Sequence, residues 1–248
     1  MRLDVYLSAH GVKSREEAKR LINDGDVLVN GKPAKPSLDV SETDDIKVLS
    51  KCRYVSRGGL KLERAVEEFG ICLDGCVCLD IGASTGGFTD VCLQNGAAYV
   101  YALDVGHSQL DEKLREDSKV KCIEGVNIRN VGTDFFEKPI DFICCDVSFI
   151  SLRLVLPVIY SLLGAGKKAV VLIKPQFELT KGQLGKGGIV RSEALREQVK
   201  CDISAFAAGC GFEVQGVIPS PIKGGDGNEE YLMALYKIDG QAFASHEH

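Results

Sequence analysis

The chain reads as an α/β protein, a mostly parallel sheet with helices on both faces, preceded by a smaller α+β unit. Three observations predict this. Beyond about residue 60, apolar runs of strand length alternate with segments of helical periodicity, the pattern left by strand–helix–strand units. The segment Cys78-Leu-Asp-Ile-Gly-Ala-Ser-Thr-Gly-Gly-Phe88 is an apolar strand running into a glycine-rich turn that opens a helix. The first 60 residues differ in charge, with 11 Lys or Arg against 9 Asp or Glu, whereas the rest carries 19 against 26.

In the front unit, Arg2 to His10 and Ser14 to Asn23 have helical spacing, with Val5, Leu7, Ala18, Leu21 and Ile22 apolar. Ser14 followed by Glu17 forms a capping box that starts the second helix. Val27-Leu-Val is a short strand closed by the Asn30-Gly31 turn, and Asp45-Ile-Lys-Val-Leu is another. The expected boundaries are 1–50 for this unit, 51–59 for a linker, 60–240 for the larger domain and 241–248 for a tail.

In the larger domain strands are expected near 76–81, 99–104, 120–124, 140–146, 167–174, 212–218 and 231–237, and helices near 60–70, 87–95, 108–116, 152–163 and 193–208. Asp80, Asp104, Asp146 and Lys174 then fall at the carboxyl ends of strands, where ligands bind in open α/β sheets. Gly82, Gly86 and Gly87 let backbone approach a ligand with no Cβ in the way. Asp104, 24 residues beyond Asp80, is placed to accept hydrogen bonds from an adenosine ribose diol. Lys181-Gly-Gln-Leu-Gly-Lys-Gly-Gly resembles a phosphate cradle only superficially: no strand precedes it, no Ser or Thr follows its Gly-Lys, and a mobile loop over the site fits it better.

Composition excludes several classes. The chain has 248 residues, 45% hydrophobic and 26% charged, with no Trp and a formal charge of -5, which is ordinary for a soluble protein. Its ten cysteines include no Cys-x-x-Cys pair, and with four scattered histidines no structural zinc is expected. Met1-Arg-Leu-Asp-Val is already amphipathic, so a signal peptide is not expected, and the chain reads as reduced and cytoplasmic. The longest apolar run, Leu154 to Leu163, is broken by Pro157 and too short to span a bilayer.

These residues carry a resemblance. Ser14 to Gly31 is similar to the S4 RNA-binding domain, with Ser-Arg-x-x-Ala-x-x-x-Ile followed by Gly-x-Val-x-Val-Asn-Gly. This implies RNA contacts by Lys13, Ser14, Arg15, Lys19, Arg20, Asn30 and Lys32, with Arg57 either on a phosphate or pinning the linker. A solvated basic face on a protein-binding module is the bland alternative. Asp-x-Gly-x-x-x-Gly looks like the first motif of methyltransferases that bind S-adenosyl-L-methionine. Asp80, Gly82, Ala83, Ser84, Thr85, Gly86, Gly87, Phe88, Asp104, Asn127 and Asp146 are then the cofactor candidates, Asn127 being equally able to cap a helix.

Lys61, Asp146, Lys174 and Glu230 look like the Lys-Asp-Lys-Glu tetrad of FtsJ-related 2′-O-ribose methyltransferases. The runs around Tyr54, Asp80, Asp146 and Lys174 resemble the TlyA family, which joins an S4 domain to an FtsJ-like domain and whose members were often named hemolysins. The fold implied is a Rossmann-like class I methyltransferase domain behind a small α+β S4 domain. The activity implied is methylation of a ribosomal RNA cytidine, with the large subunit favoured because of the chain's short form, and no metal, since the leaving group is already good. A neutral Lys174 is the candidate base, with Asp146 and Glu230 holding the lysines and the ribose. Glu229 is expected to face solvent because strand side chains alternate. A structural Asp146–Lys174 ion pair, a non-catalytic assembly factor and a membrane-active hemolysin remain the alternatives.

Overall fold

A computed structural model describes residues 1–12, 14–23, 25–48 and 53–238, apart from the side chain of Arg20. Lys13, the side chain of Arg20, residues 51–52 of the expected linker and the expected tail 241–248 lie outside the described residues. The chain divides into two compact units, Met1–Gly58 and Gly59–His248.

In the first unit, helices α1 (Leu3–Ala9) and α2 (Arg15–Asn23) accompany an antiparallel sheet of β1 (Val27–Val29), β2 (Lys32–Pro33) and β3 (Ile46–Val48), in the order β2-β1-β3. Ser14 Oγ accepts the Glu17 N–H at 3.1 Å and so satisfies one free donor at the start of α2. Val29 pairs with Lys32, leaving Asn30 and Gly31 as a two-residue hairpin loop. Both have positive φ, 52° and 75°, as a type I′ turn requires. Leu3, Leu7, Ala18, Ile22, Val27, Val29 and Val40 form the core.

The second unit contains α3 (Gly59–Glu68), β4 (Val77–Ile81), α4 (Gly87–Gln94), β5 (Tyr99–Asp104), α5 (Glu112–Arg115), β6 (Val120–Glu124), β7 (Ile140–Cys145), α6 (Leu156–Leu162), β8 (Leu163–Ile173), α7 (Pro175–Glu178), α8 (Glu193–Gly209), β9 (Phe212–Pro219) and β10 (Tyr231–Lys237). The sheet order is β6-β5-β4-β7-β8-β10-β9, parallel except that β10 runs antiparallel to both its neighbours. Chain order reverses at β4, whose two neighbours are β5 and β7, and the crevice at such a reversal is where α/β sheets bind ligands. β4, β7 and β8 from Ala169 onward are buried on both faces and read there as mostly apolar runs.

Three elements differ from the sequence expectation. The helix expected over 108–116 shrinks to Glu112–Arg115, because the N–H groups of Ser108, Gln109 and Leu110 donate to the Glu124 carboxylate and Asp111 supplies the cap. The helix expected over 152–163 becomes a 3-10 turn at Leu152–Leu154 and then α6, whose first turn holds Pro157, where a missing N–H is tolerated. Strand β8 starts at Leu163 rather than 167 and passes a register shift opposite Ile140 and Phe142. The nine described cysteines are all free thiols.

Candidate active site

Strand β4 carries Asp80 into the interior, where its side chain is fully buried. One oxygen, Oδ2, accepts the Thr89 hydroxyl of α4 at 2.7 Å, while Oδ1 has no hydrogen-bond partner among the described residues. Burial disfavours the charged form and pushes this carboxyl up to about 7, despite the Thr89 bond. A buried acceptor left open in this way costs about 1–3 kcal/mol unless a ligand or water fills it.

The turn after β4 spends most of its amides on the protein. Gly82 and Ala83 N–H donate to Leu103 O at 2.8 and 3.1 Å, Ser84 N–H to Asp104 Oδ2 at 2.8 Å, and Gly86 N–H to Ala83 O at 2.7 Å. It is therefore no open anion cradle. At two of the three glycines the protein's own packing leaves no room for a side chain. At Gly82 (φ 83°) a Cβ would lie 2.5 Å from the Asp146 carbonyl oxygen, and at Gly86 (φ 95°) one would meet the methyl of Leu110 at 2.8 Å. Gly82 thus lets the chain at Asp146 cross the turn, where Asp146 N–H donates to Ile81 O at 2.9 Å. Ser84 and Thr85 lie towards the surface, whereas Ala83 and Phe88 are buried, Phe88 in the first turn of α4.

Asp104 ends β5, its Oδ1 accepting Gly106 N–H at 2.7 Å and its Oδ2 accepting Ser84. Each oxygen keeps a further lone pair. The loop beyond it is organised by Glu124, which sequence reasoning overlooked. Its carboxylate accepts Ser108 N–H (2.8 Å), Gln109 N–H (3.0 Å) and the Arg115 guanidinium (2.8 Å). Partial burial raises this carboxyl, but these donors outweigh it and hold it down to about 2. Only the end-of-strand position signals such a role in sequence. Asn127 uses its Oδ1 to cap the 3-10 turn that follows, accepting Arg129 N–H at 3.0 Å.

The four residues matched to the tetrad converge, though they come from α3, the ends of β7 and β8 and the residue before β10. Lys61 Nζ lies 2.7 Å from Glu230 Oε2 and 3.4 Å from Asp146 Oδ2, and Lys174 Nζ lies 2.5 Å from Asp146 Oδ1. The order is Lys174–Asp146–Lys61–Glu230, with Asp146 between the lysines. Ser148, a residue sequence reasoning did not select, accepts a hydrogen bond from Lys174 at 2.8 Å. Lys61, Lys174 and Glu230 are buried. Burial works against the charge on Lys61, but Asp146 and Glu230 outweigh it and raise its pKa. Burial likewise raises Asp146, and the two lysines outweigh it and hold it below the usual carboxylate range. Glu229 is exposed, as expected, but for another reason: it precedes β10 and pairs with Arg196 at 3.2 Å.

In the first unit several residues expected to face RNA have partners of their own. Arg15 donates to the buried Asp4 carboxylate at 2.9 Å, alongside Arg2 at 3.0 Å, and the two arginines depress the Asp4 pKa. Asn30 Nδ2 donates to Asp44 at 2.8 Å, and its Oδ1 accepts Asp45 N–H at 2.9 Å. Arg57 donates to Gly25 O at 2.7 Å. Lys19 and Lys32 are exposed.

Comparison with known proteins matches the FtsJ-like methyltransferase family over residues 54–237 and the S4 domain over residues 1–46. A Brachyspira hyodysenteriae protein named Hemolysin A is 46% identical, over 94% of this chain and 98% of that one. A Mycobacterium tuberculosis protein named 16S/23S rRNA (cytidine-2′-O)-methyltransferase TlyA is 42% identical, over 94% of this chain and 89% of its own. A solved structure of a hemolysin-named protein from Streptococcus thermophilus superposes with a TM-score of 0.77 at 46% identity, covering 96% of this chain and 89% of that chain. This chain therefore belongs to the TlyA family, an S4 domain followed by an FtsJ-like methyltransferase domain.

Proposed function

We propose that the protein methylates the 2′-hydroxyl of a ribosomal RNA cytidine with S-adenosyl-L-methionine as donor. Residues 60–240 carry the chemistry, and the S4 unit, residues 1–50, docks on the RNA in the cytoplasm. The observation that carries this reading is the buried Lys174–Asp146–Lys61–Glu230 array, built against the Gly82 turn.

The residues present fit the cofactor. The open Oδ1 of buried Asp80 suits a cationic ligand, and a turn whose amides are already used suits one without a pyrophosphate. Asp80, Ser84, Thr85, Asp104 and Asn127 would hold it, Asp104 with its remaining lone pairs on the ribose diol. When bound, S-adenosyl-L-methionine supplies an electrophilic methyl group.

The chain's own residues prepare the acceptor. Lys174 Nζ, held by Asp146 and Ser148, must first release its own ion-pair proton and then takes up the proton of the 2′-hydroxyl. Asp146 and Ser148 orient Lys174, and Glu230 orients Lys61 against Asp146, so the array contributes chiefly by positioning, worth several kcal/mol. Phe149, 89% exposed and 5.1 Å from the Phe177 ring, offers a base an aromatic surface beside this array.

The test is transfer of labelled methyl to unmodified large and small ribosomal subunits, wild type beside Lys174→Ala. Label on ribose with wild type only is the expected result, with the large subunit the expected acceptor. Cofactor binding without label on either subunit would move weight to a non-catalytic assembly factor. Liposome leakage would favour a membrane-active reading, although no helix among the described residues is long and apolar enough to cross a membrane.

A further inference from the structure

The segment between α7 and α8 has a composition and an anchorage that the reaction does not explain. Residues 179–192 contain Lys181, Lys186 and Arg191 and no Asp or Glu, in a chain of net charge -5. All three cationic side chains are exposed. Gly182, Gly185, Gly187 and Gly188 give the segment high backbone entropy, so an unanchored version would present its charges loosely.

Both ends of the segment adjoin residues close in the chain to the tetrad. Its start follows Lys174 through the single-turn helix α7. Its far end is held by Asn228, a polar residue only 2% exposed. The Asn228 amide accepts Val190 N–H at 2.9 Å and donates to Gly188 O at 3.2 Å. Arg196 adds bonds to Val190 O and Arg191 O at 3.0 and 3.1 Å, and pairs with Glu229. Asn228 stands two residues before Glu230, whose own carbonyl accepts Ser220 N–H at 2.9 Å.

We propose that residues 180–191 form the rim that grips RNA phosphates beside the methylated nucleotide, and that Asn228 is the positioning residue holding this rim against the tetrad. The inference rests on the RNA substrate proposed above. A fixed rim of three cations would hold the strand on either side of a splayed nucleotide, because phosphate contacts set register while the tetrad performs the chemistry. Asn228 does this without touching RNA, through the backbone of Gly188 and Val190.

The experiment compares wild type, Lys181→Gln/Lys186→Gln, Asn228→Ala and Asn228→Asp. It reads affinity for unmodified ribosomal subunits across a salt series, tryptic cleavage after Lys181 and Lys186, and cofactor Kd as the check on folding. For the lysine pair, the slope of log affinity against log salt should fall by about 1.5 to 2, with cofactor Kd unchanged. For Asn228→Ala, tryptic cleavage in the rim should speed about tenfold through loss of two hydrogen bonds, and subunit affinity should fall. Should that variant fail to fold, Asn228→Asp keeps the acceptor for Val190 and loses the donor to Gly188, and an intermediate acceleration is expected. An unchanged salt slope in the lysine pair overturns the rim, and wild-type protection in both Asn228 variants overturns the anchor. A wild-type protein that transfers no methyl, yet shows the two-lysine salt slope and the Asn228 effect, would sink the proposed reaction while supporting the rim.

Discussion

Replacing Asp80 by Asn should stabilise the protein at pH 8 relative to pH 5 while weakening cofactor binding. The folded Asp80 carboxyl titrates near 7 because it is fully buried with one oxygen unpaired, against an ordinary value near 3.8 when unfolded. A carboxyl raised in the folded state binds its proton more tightly there, so it destabilises the fold as pH rises from about 4 to 7 and beyond. With those two values the cost is about 4 kcal/mol at pH 8 and about 2 kcal/mol at pH 5. The Asn amide carries no charge and incurs neither, but it leaves a buried N–H2 unmatched where Oδ1 stood, a cost of about 1–3 kcal/mol at either pH. That term cancels in the comparison. Chemical denaturation of wild type and Asp80→Asn at both pH values should thus show the variant gaining about 2–3 kcal/mol between pH 5 and pH 8. Calorimetry should show cofactor affinity lost in the variant and, in wild type, falling as pH drops below 7. The reasoning is refuted by a stability difference identical at the two pH values, which would mean that Asp80 is ionised throughout and its open oxygen well solvated.

Three further outcomes are expected. Glu124 is depressed to about 2, so its stabilisation is present above the ordinary carboxyl pKa and lost as pH falls through 4.5 towards 2; Glu124→Gln should lower stability by on the order of 1–3 kcal/mol at pH 7, with the gap closing near pH 2, and should weaken cofactor binding, and equal stability at pH 7 would count against this. A Cβ at Gly224 would stand 3.0 Å from the Glu230 carboxyl carbon, so Gly224→Ala should push Glu230 off Lys61 and lower kcat about 10- to 100-fold with cofactor Kd retained, and a rate within twofold of wild type would refute it. Gly82→Ala meets both a positive φ and the Asp146 carbonyl, so it should destabilise by more than about 1 kcal/mol and reduce transfer, measured by denaturation and the methyl assay.

Much of this molecule was legible locally. The Ser14 cap, the Asn30-Gly31 hairpin and the apolar runs of β4, β5 and β7 are set by side chains within a few residues of one another, and they appear where the periodicity puts them. The four tetrad residues were identified by family resemblance at points 28 to 85 residues apart in the chain. Their arrangement was not legible: that Asp146 separates Lys174 from Lys61, and that Glu230 reaches Lys61 rather than Lys174, depends on how β7, β8 and β10, on one side of β4, align with one another and with α3.

The chain by itself determined the two-domain order, the strand–helix alternation and the types of residue at the site, because these follow from patterns of one to four residues and from motif spacing. Tertiary structure decided the rest. It assigned Arg15 to Asp4, cut α5 short through Glu124, and brought the Asp146 carbonyl against Gly82. Each of these turns on which distant group arrives opposite a given atom, and a buried donor or acceptor takes its partner from packing, which sequence spacing does not encode.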